Sequence, residues 1–186
     1  SRNVRTSPNQ TTMQSLLVVP GDFSETRDVP HGAVASVRYV AKALGGARRE
    51  LFVYTPPGYE KSTTRYPVLY LIHGGGDTAL SWPTVGRAGD IMDNLIAEKR
   101  ALPMIVVMPS GWTPSGGQVM TSDATKDPFN DEMIKDIIPH IQATDWGGLG
   151  YGYGYGYAQD NVCVMAREVL AATGTQSRYF GGGTLN

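Results

Sequence analysis

Residues 66–77 read YPVLYLIHGGGD. From Tyr66 to Ile72 the run is apolar almost throughout, and it breaks off in His73 followed by three glycines. Met104–Pro109, MIVVMP, is a second run of the same kind. A strand with one wet face alternates apolar and polar residues, whereas continuous apolar runs mark strands covered on both faces, as in parallel sheets. Between the two runs Val85, Ala88, Ile91, Met92, Leu95 and Ile96 recur at three-to-four spacing, which predicts a helix over about Thr84–Lys99. The expected unit is strand, helix, strand, with the two strands adjacent and parallel.

Upstream, VASVRYVAKAL and RRELFVYTPPGY read as two strands joined by a turn at Gly45–Gly46. Val37 and Tyr39 in the first, and Leu51 and Val53 in the second, follow period two, and Pro56-Pro57-Gly58 ends the second. Downstream, a helix is expected from about Pro128 to Ile141. Asp127 suits its N-cap and Pro128 its first position, and Phe129, Met133, Ile134, Ile137, Ile138 and Ile141 form the inner stripe. Asp131 and Glu132 read as acidic residues favourable to the dipole at its start. Beyond it, WGGLGYGYGYGY (146–157) is low in complexity and reads as a linker; the alternative is a ladder of tyrosines on one strand face, able to stack on sugar rings. NVCVM and VLAATG resemble short buried strands. The expected organisation is a tail or linker over 1–30 and one α/β domain over 31–186, with a mostly parallel sheet behind an antiparallel hairpin.

The composition narrows the function classes. At 41% hydrophobic and 18% charged residues, the 186-residue chain is that of a globular protein with a substantial core. The net charge of −1 comes from interspersed acids and bases, which gives no basic face for nucleic acid. No apolar run reaches the ~20 residues of a membrane span. A single cysteine, Cys163, and three histidines without ligand spacing point to no disulfide framework and no metal site.

The glycine triplet sits where a predicted parallel strand ends, the edge of an α/β sheet at which ligands bind. Without side chains there, backbone N–H groups can approach an anion. A tight strand-to-helix turn with no ligand is the alternative. The triplet is not a phosphate loop, because no Gly-Lys-Ser/Thr follows. Asp77 and Trp82 lie just past the glycines and are candidates for touching a substrate; a solvated turn and a packed aromatic explain them equally. His31 and His140 read as surface or packing histidines.

RDVPHGAV, LFVYTPPGYE, YPVLYLIHGGGD, SWPTVGRAGDIMDNLIAE, PMIVVMPSG and DIIPHI, in this order from about Asp28 to Ile141, resemble successive blocks of the family described as putative esterases. These are α/β-hydrolases that include the feruloyl and acetyl-xylan esterases and relatives of esterase D. The resemblance implies hydrolysis of carboxylic esters, often on plant cell-wall carbohydrate, through a serine acyl-enzyme with no cofactor. It implies a small or polysaccharide-linked ester as substrate, and a secreted or periplasmic location. It assigns half of an oxyanion hole to the Gly75 N–H and a structural role to His73.

The chain departs from the family at the nucleophile. No serine lies in a G-x-S-x-G elbow. Ser177 is the candidate, because an apolar run, Gly174, Ser177, then Gly181–Gly183, Thr184 and Leu185 follow the family's order, though with extra residues on both sides of the serine. Its neighbour Arg178 would then supply the second oxyanion N–H. The nine residues after Ser177 contain no Asp, Glu or His, so the fold reads as an α/β-hydrolase incomplete at its C-terminus, with catalytic competence in question. The alternative is a non-catalytic fragment or carbohydrate-binding module.

Overall fold

The computed structural model describes residues 4–8, 13–17, 23–74, 77–114 and 127–144. Strands β1 (Val4–Pro8) and β2 (Met13–Leu17) form an antiparallel ribbon within the stretch read as a tail. The main sheet contains β3 (Ala33–Ala41), β4 (Ala47–Thr55), β5 (Val68–Tyr70) and β6 (Ile105–Pro109), in the order β3-β4-β6-β5. It is mixed. β3 and β4 make the antiparallel hairpin, β4 runs antiparallel to β6, and β5 and β6 are parallel with Val68 opposite Ile105. The expected parallel pair is therefore present, with helix α1 (Ser81–Thr84) and α2 (Ala88–Ala97) between its strands.

The fully apolar character of β6 has a direct cause. Ile105 and Val107 face one way, into a cluster with Leu51, Val53, Val68, Tyr70, Met133, Ile137 and Ile141. Val106 and Met108 face the other way and pack with Tyr54, Ala88 and Met92. Helices cover the sheet on both faces, so neither set of β6 side chains meets water, and all five residues are buried. The β3–β4 turn passes through Gly45 and Gly46 at φ 66° and 84°, a region that glycine enters without steric cost. Gly32 is required for space: a Cβ there would lie 2.2 Å from the Thr55 carbonyl oxygen.

The second covering helix is three segments in one: α3 (Pro128–Glu132), a π-helical turn (Met133–Ile137) and α4 (Ile138–Ala143). Asp127 caps it as expected, its carboxylate accepting the Phe129 N–H at 2.9 Å. The π turn precedes Pro139, which offers no N–H and whose ring would press on the carbonyl four residues back; the widened turn relieves that conflict. It also changes the buried stripe. Ile134 is 51% exposed, while Glu132 is 0% and Asp136 9% exposed. Glu132 is thus no solvent-facing dipole residue. Its Oε1 accepts from Tyr39 Oη at 2.6 Å and Arg49 Nε at 2.8 Å, and its Oε2 accepts from Arg49 Nη2 at 3.0 Å. Burial and the neighbouring Glu132 push the Tyr39 phenol pKa well up, which keeps it a donor.

Residues 23–32 lie along α2. Asn94 Nδ2 donates to the carbonyls of Phe23 and Glu25, Thr26 Oγ1 to Asp90, and Gly32 N to Asp93. Asp93 also accepts from Tyr54 Oη at 2.7 Å and lies 2.9 Å from His31 Nδ1, so His31 anchors this segment. His140 stacks on Tyr39.

Two substitutions test the π-turn register. Ile137→Ala, at a site with 0% exposure, is expected to cost about 2–5 kcal/mol in urea unfolding. Ile134→Ala is expected to stay within about 0.5 kcal/mol; a similar cost at both sites would mean a regular helix instead. The Tyr70 hydroxyl is buried without a hydrogen-bond partner among the described residues, and burial raises its pKa to about 12. Tyr70→Phe is therefore expected to leave stability unchanged or raise it by about 1–3 kcal/mol, since it removes an unpaid desolvation penalty.

Candidate active site

Two turns leave the C-terminal ends of the parallel strands side by side: residues 71–74 and 77–80 after β5, and Ser110–Pro114 after β6. Ladder pairing continues one step past β5, where Leu71 N donates to Val107 O at 2.8 Å. The chain then reaches His73, only 1% exposed. Its Nε2 accepts the Gly111 backbone N–H at 3.0 Å. A neutral imidazole that accepts at Nε2 carries its proton on Nδ1, and Nδ1 donates to the Gly74 carbonyl at 2.8 Å. Trp112 stacks on the His73 ring with centroids 6.3 Å apart, and its indole N–H donates to the Asp77 carbonyl at 2.6 Å.

These bonds have one common effect. The Gly74 carbonyl accepts from His73 and from the Asp77 N–H, the Asp77 carbonyl from Trp112, and the Ile72 carbonyl from Trp82 Nε1 at 3.1 Å. Three carbonyl oxygens at this strand end are each capped by a donor. Behind the β6 turn, Arg49 Nη2 donates to the Ser110 carbonyl at 2.9 Å.

Of the sequence candidates, Asp77 and Trp82 flank this turn. Trp82 packs with the apolar cluster under α2 and closes the Ile72 carbonyl; Asp77 is half-buried, with both its backbone groups engaged. Gly75, Ser177 and Arg178 lie outside the described residues, as does the Gly-Tyr stretch. No group of three or more His, Cys, Asp or Glu among the described residues could hold a metal ion. Sequence reasoning missed Gly111, Trp112 and Arg49. The only available signal was PSGW directly after a buried strand, at the ligand-binding edge of the sheet.

Burial lowers the His73 pKa below its usual 6.5, outweighing the Gly74 bond and nearby Asp77. The folded state therefore disfavours the imidazolium. The contribution of His73 to stability is complete above pH 6.5 and is lost as pH falls below that value, where the unfolded chain takes up a proton and the folded one resists. Histidine ¹⁵N spectra are expected to show His73 as the Nδ1–H tautomer with a midpoint below 6.5; a midpoint at or above it would contradict this arrangement.

Comparison with known proteins gives two matches in succession. The family model described as "Putative esterase" matches residues 41–138, and the one described as "Penicillin amidase" matches residues 135–186. An endo-1,4-beta-xylanase/feruloyl esterase of Xylanibacter ruminicola is 38% identical over 123 residues, which are 64% of this chain and 17% of that protein. An acyl-homoserine lactone acylase PvdQ of Pseudomonas putida is 64% identical over 44 residues, 24% of this chain and 6% of that protein. Among solved structures, the CE1 ferulic acid esterase of the anaerobic fungus Anaeromyces mucronatus superposes with a TM-score of 0.60 at 26% identity, covering 74% of this chain and 55% of that one. The chain thus spans about half of that structure and a smaller share of the curated relatives. Ser177 falls in the stretch matched by the amidase model, beyond the end of the esterase match. The mixed sheet with helices on both faces is the α/β-hydrolase architecture of these feruloyl esterases, and with the esterase model spanning just over half of its length, the chain belongs to the putative esterase family.

Proposed function

We propose that the chain carries the carbonyl-binding half of a carboxylic ester hydrolase of the feruloyl-esterase type, acting on aryl esters of plant cell-wall carbohydrate. The observation that carries this reading is the set of capped carbonyls after β5. An oxyanion site needs backbone N–H groups aimed at developing negative charge and no carbonyl dipoles opposing them. In a trans peptide the amide hydrogen lies opposite the carbonyl oxygen. A Gly74 carbonyl tied back to His73 therefore supports the Gly75 N–H as an oxyanion donor. The feruloyl-esterase relatives supply the substrate class.

If one of this chain's residues attacks the ester, Ser177 is the candidate and the Arg178 N–H the second oxyanion donor, in line with the family's order of residues. A second reading competes for that region. Residues 135–186 match an amidase family, so the chain joins parts of two hydrolase families, with the ester-binding turn in the first. Ser177 then belongs to the amidase-like stretch and serves no ester.

Titration of the ¹⁵N-labelled chain with ferulate, a carboxylate product analogue, is expected to shift amide signals of residues 74–77 and Gly111 ahead of others. Shifts spread evenly over the protein, or none, would remove the oxyanion reading. Turnover of aryl esters is expected not to exceed the roughly 10³–10⁴-fold over water that an oxyanion site and binding provide without a complete triad. A fluorophosphonate label, if taken up, is expected on Ser177 and lost in Ser177→Ala; a label on another serine excludes Ser177.

A further inference from the structure

Arg49 connects a buried charge to the candidate site. Its side chain is 12% exposed and its partner Glu132 0%. Two of its N–H groups hold the two Glu132 oxygens at 2.8 and 3.0 Å, and Nη2 also reaches the Ser110 carbonyl at 2.9 Å. Ser110 is followed by Gly111, whose N–H holds His73 Nε2, and His73 in turn holds the Gly74 carbonyl. The path from Glu132 to Gly74 is thus a series of hydrogen bonds joined through the Ser110–Gly111 peptide, and it runs through β4, the β6 turn and the β5 turn.

Stability alone does not account for this arrangement. Replacing a buried ion pair by apolar residues of similar volume is often neutral or stabilising, because desolvation offsets the Coulomb gain. What apolar residues cannot reproduce is a directed donor to Ser110. A guanidinium forks rigidly, so an arginine clamped on a carboxylate presents its remaining N–H in a fixed direction, whereas a lysine ammonium has one flexible centre.

We propose that Arg49, clamped by Glu132, which Tyr39 also holds, is a positioning residue for the oxyanion turn. It fixes Ser110–Gly111 so that the Gly111 N–H selects the Nδ1–H tautomer of His73, and that tautomer holds the Gly74 carbonyl away from the anion site. The proposal rests on the oxyanion reading above for its purpose, but the coupling itself is measurable without catalysis.

The test uses the full chain and two variants: Arg49→Lys, and the triple apolar replacement Tyr39→Phe, Arg49→Met, Glu132→Leu. Amide hydrogen exchange is followed at Gly111, with Val107 in the core of β6 as the reference, together with the His73 ¹⁵N shifts. In both variants Gly111 is expected to exchange at least about tenfold faster relative to Val107, and His73 to show a mixture of tautomers. The triple variant is expected to do so with an unfolding temperature equal to or above that of the parent, which separates positioning from stability. Parent-like Gly111 exchange and a single His73 tautomer in either folded variant would overturn the proposal. Equal acceleration at Gly111 and Val107 in both would overturn it too, since that is general loosening. Absence of ferulate shifts in the parent chain, with the Gly111 and His73 changes intact, would instead remove the oxyanion reading and leave the coupling in place.

Discussion

Strand β6 is the constraint on which the rest of this fold depends. All five of its residues are buried, and its pairing with β4 on one side and β5 on the other uses the backbone groups of both edges. A strand in that position needs cover on both faces, because either exposed face would leave large aliphatic side chains in water. α2 supplies one cover and the helix from Pro128 to Ala143 the other. The C-terminal end of β6 consequently emerges next to that of β5, and the two turns that follow meet by necessity.

Where they meet, polar chemistry takes over from packing. A buried histidine is costly as a cation, and burial lowers the His73 pKa accordingly. Kept neutral, it accepts from one turn and donates to the other, so a single ring fixes the relative position of both. Around it the Ile72, Gly74 and Asp77 carbonyls are each capped by a donor.

The two family matches overlap only at residues 135–138, inside the helix that covers one face of the sheet. The π-helical turn occupies Met133–Ile137, in the same place. The esterase match covers β4, β5, β6, α1, α2 and the turns after β5 and β6, while the amidase match begins in the last turns of the second helix. The esterase match thus takes in most of the blocks read between Asp28 and Ile141, whereas the serine-bearing stretch lies in the amidase match.

Periodicity made the architecture legible. The unbroken apolar runs at 66–72 and 104–109, the three-to-four spacing between them, the Asp127-Pro128 cap and the Gly45–Gly46 turn are local signals, each set by the geometry of one element. The glycine triplet after His73 likewise marked the end of a strand. The π-turn register was not legible, because an unbroken helical stripe places Ile134 inward, and the widened turn turns it out while Glu132 goes in. Nor was the network at the site. Arg49 lies 83 residues from Glu132, and Gly111 lies 38 residues from His73. The sequence by itself determined which segments become strands and helices and which faces they bury, since apolar spacing records how a segment meets the core. Which buried polar groups meet was decided only by the tertiary structure, because a hydrogen bond depends on position and direction across the sheet, and no local pattern encodes either.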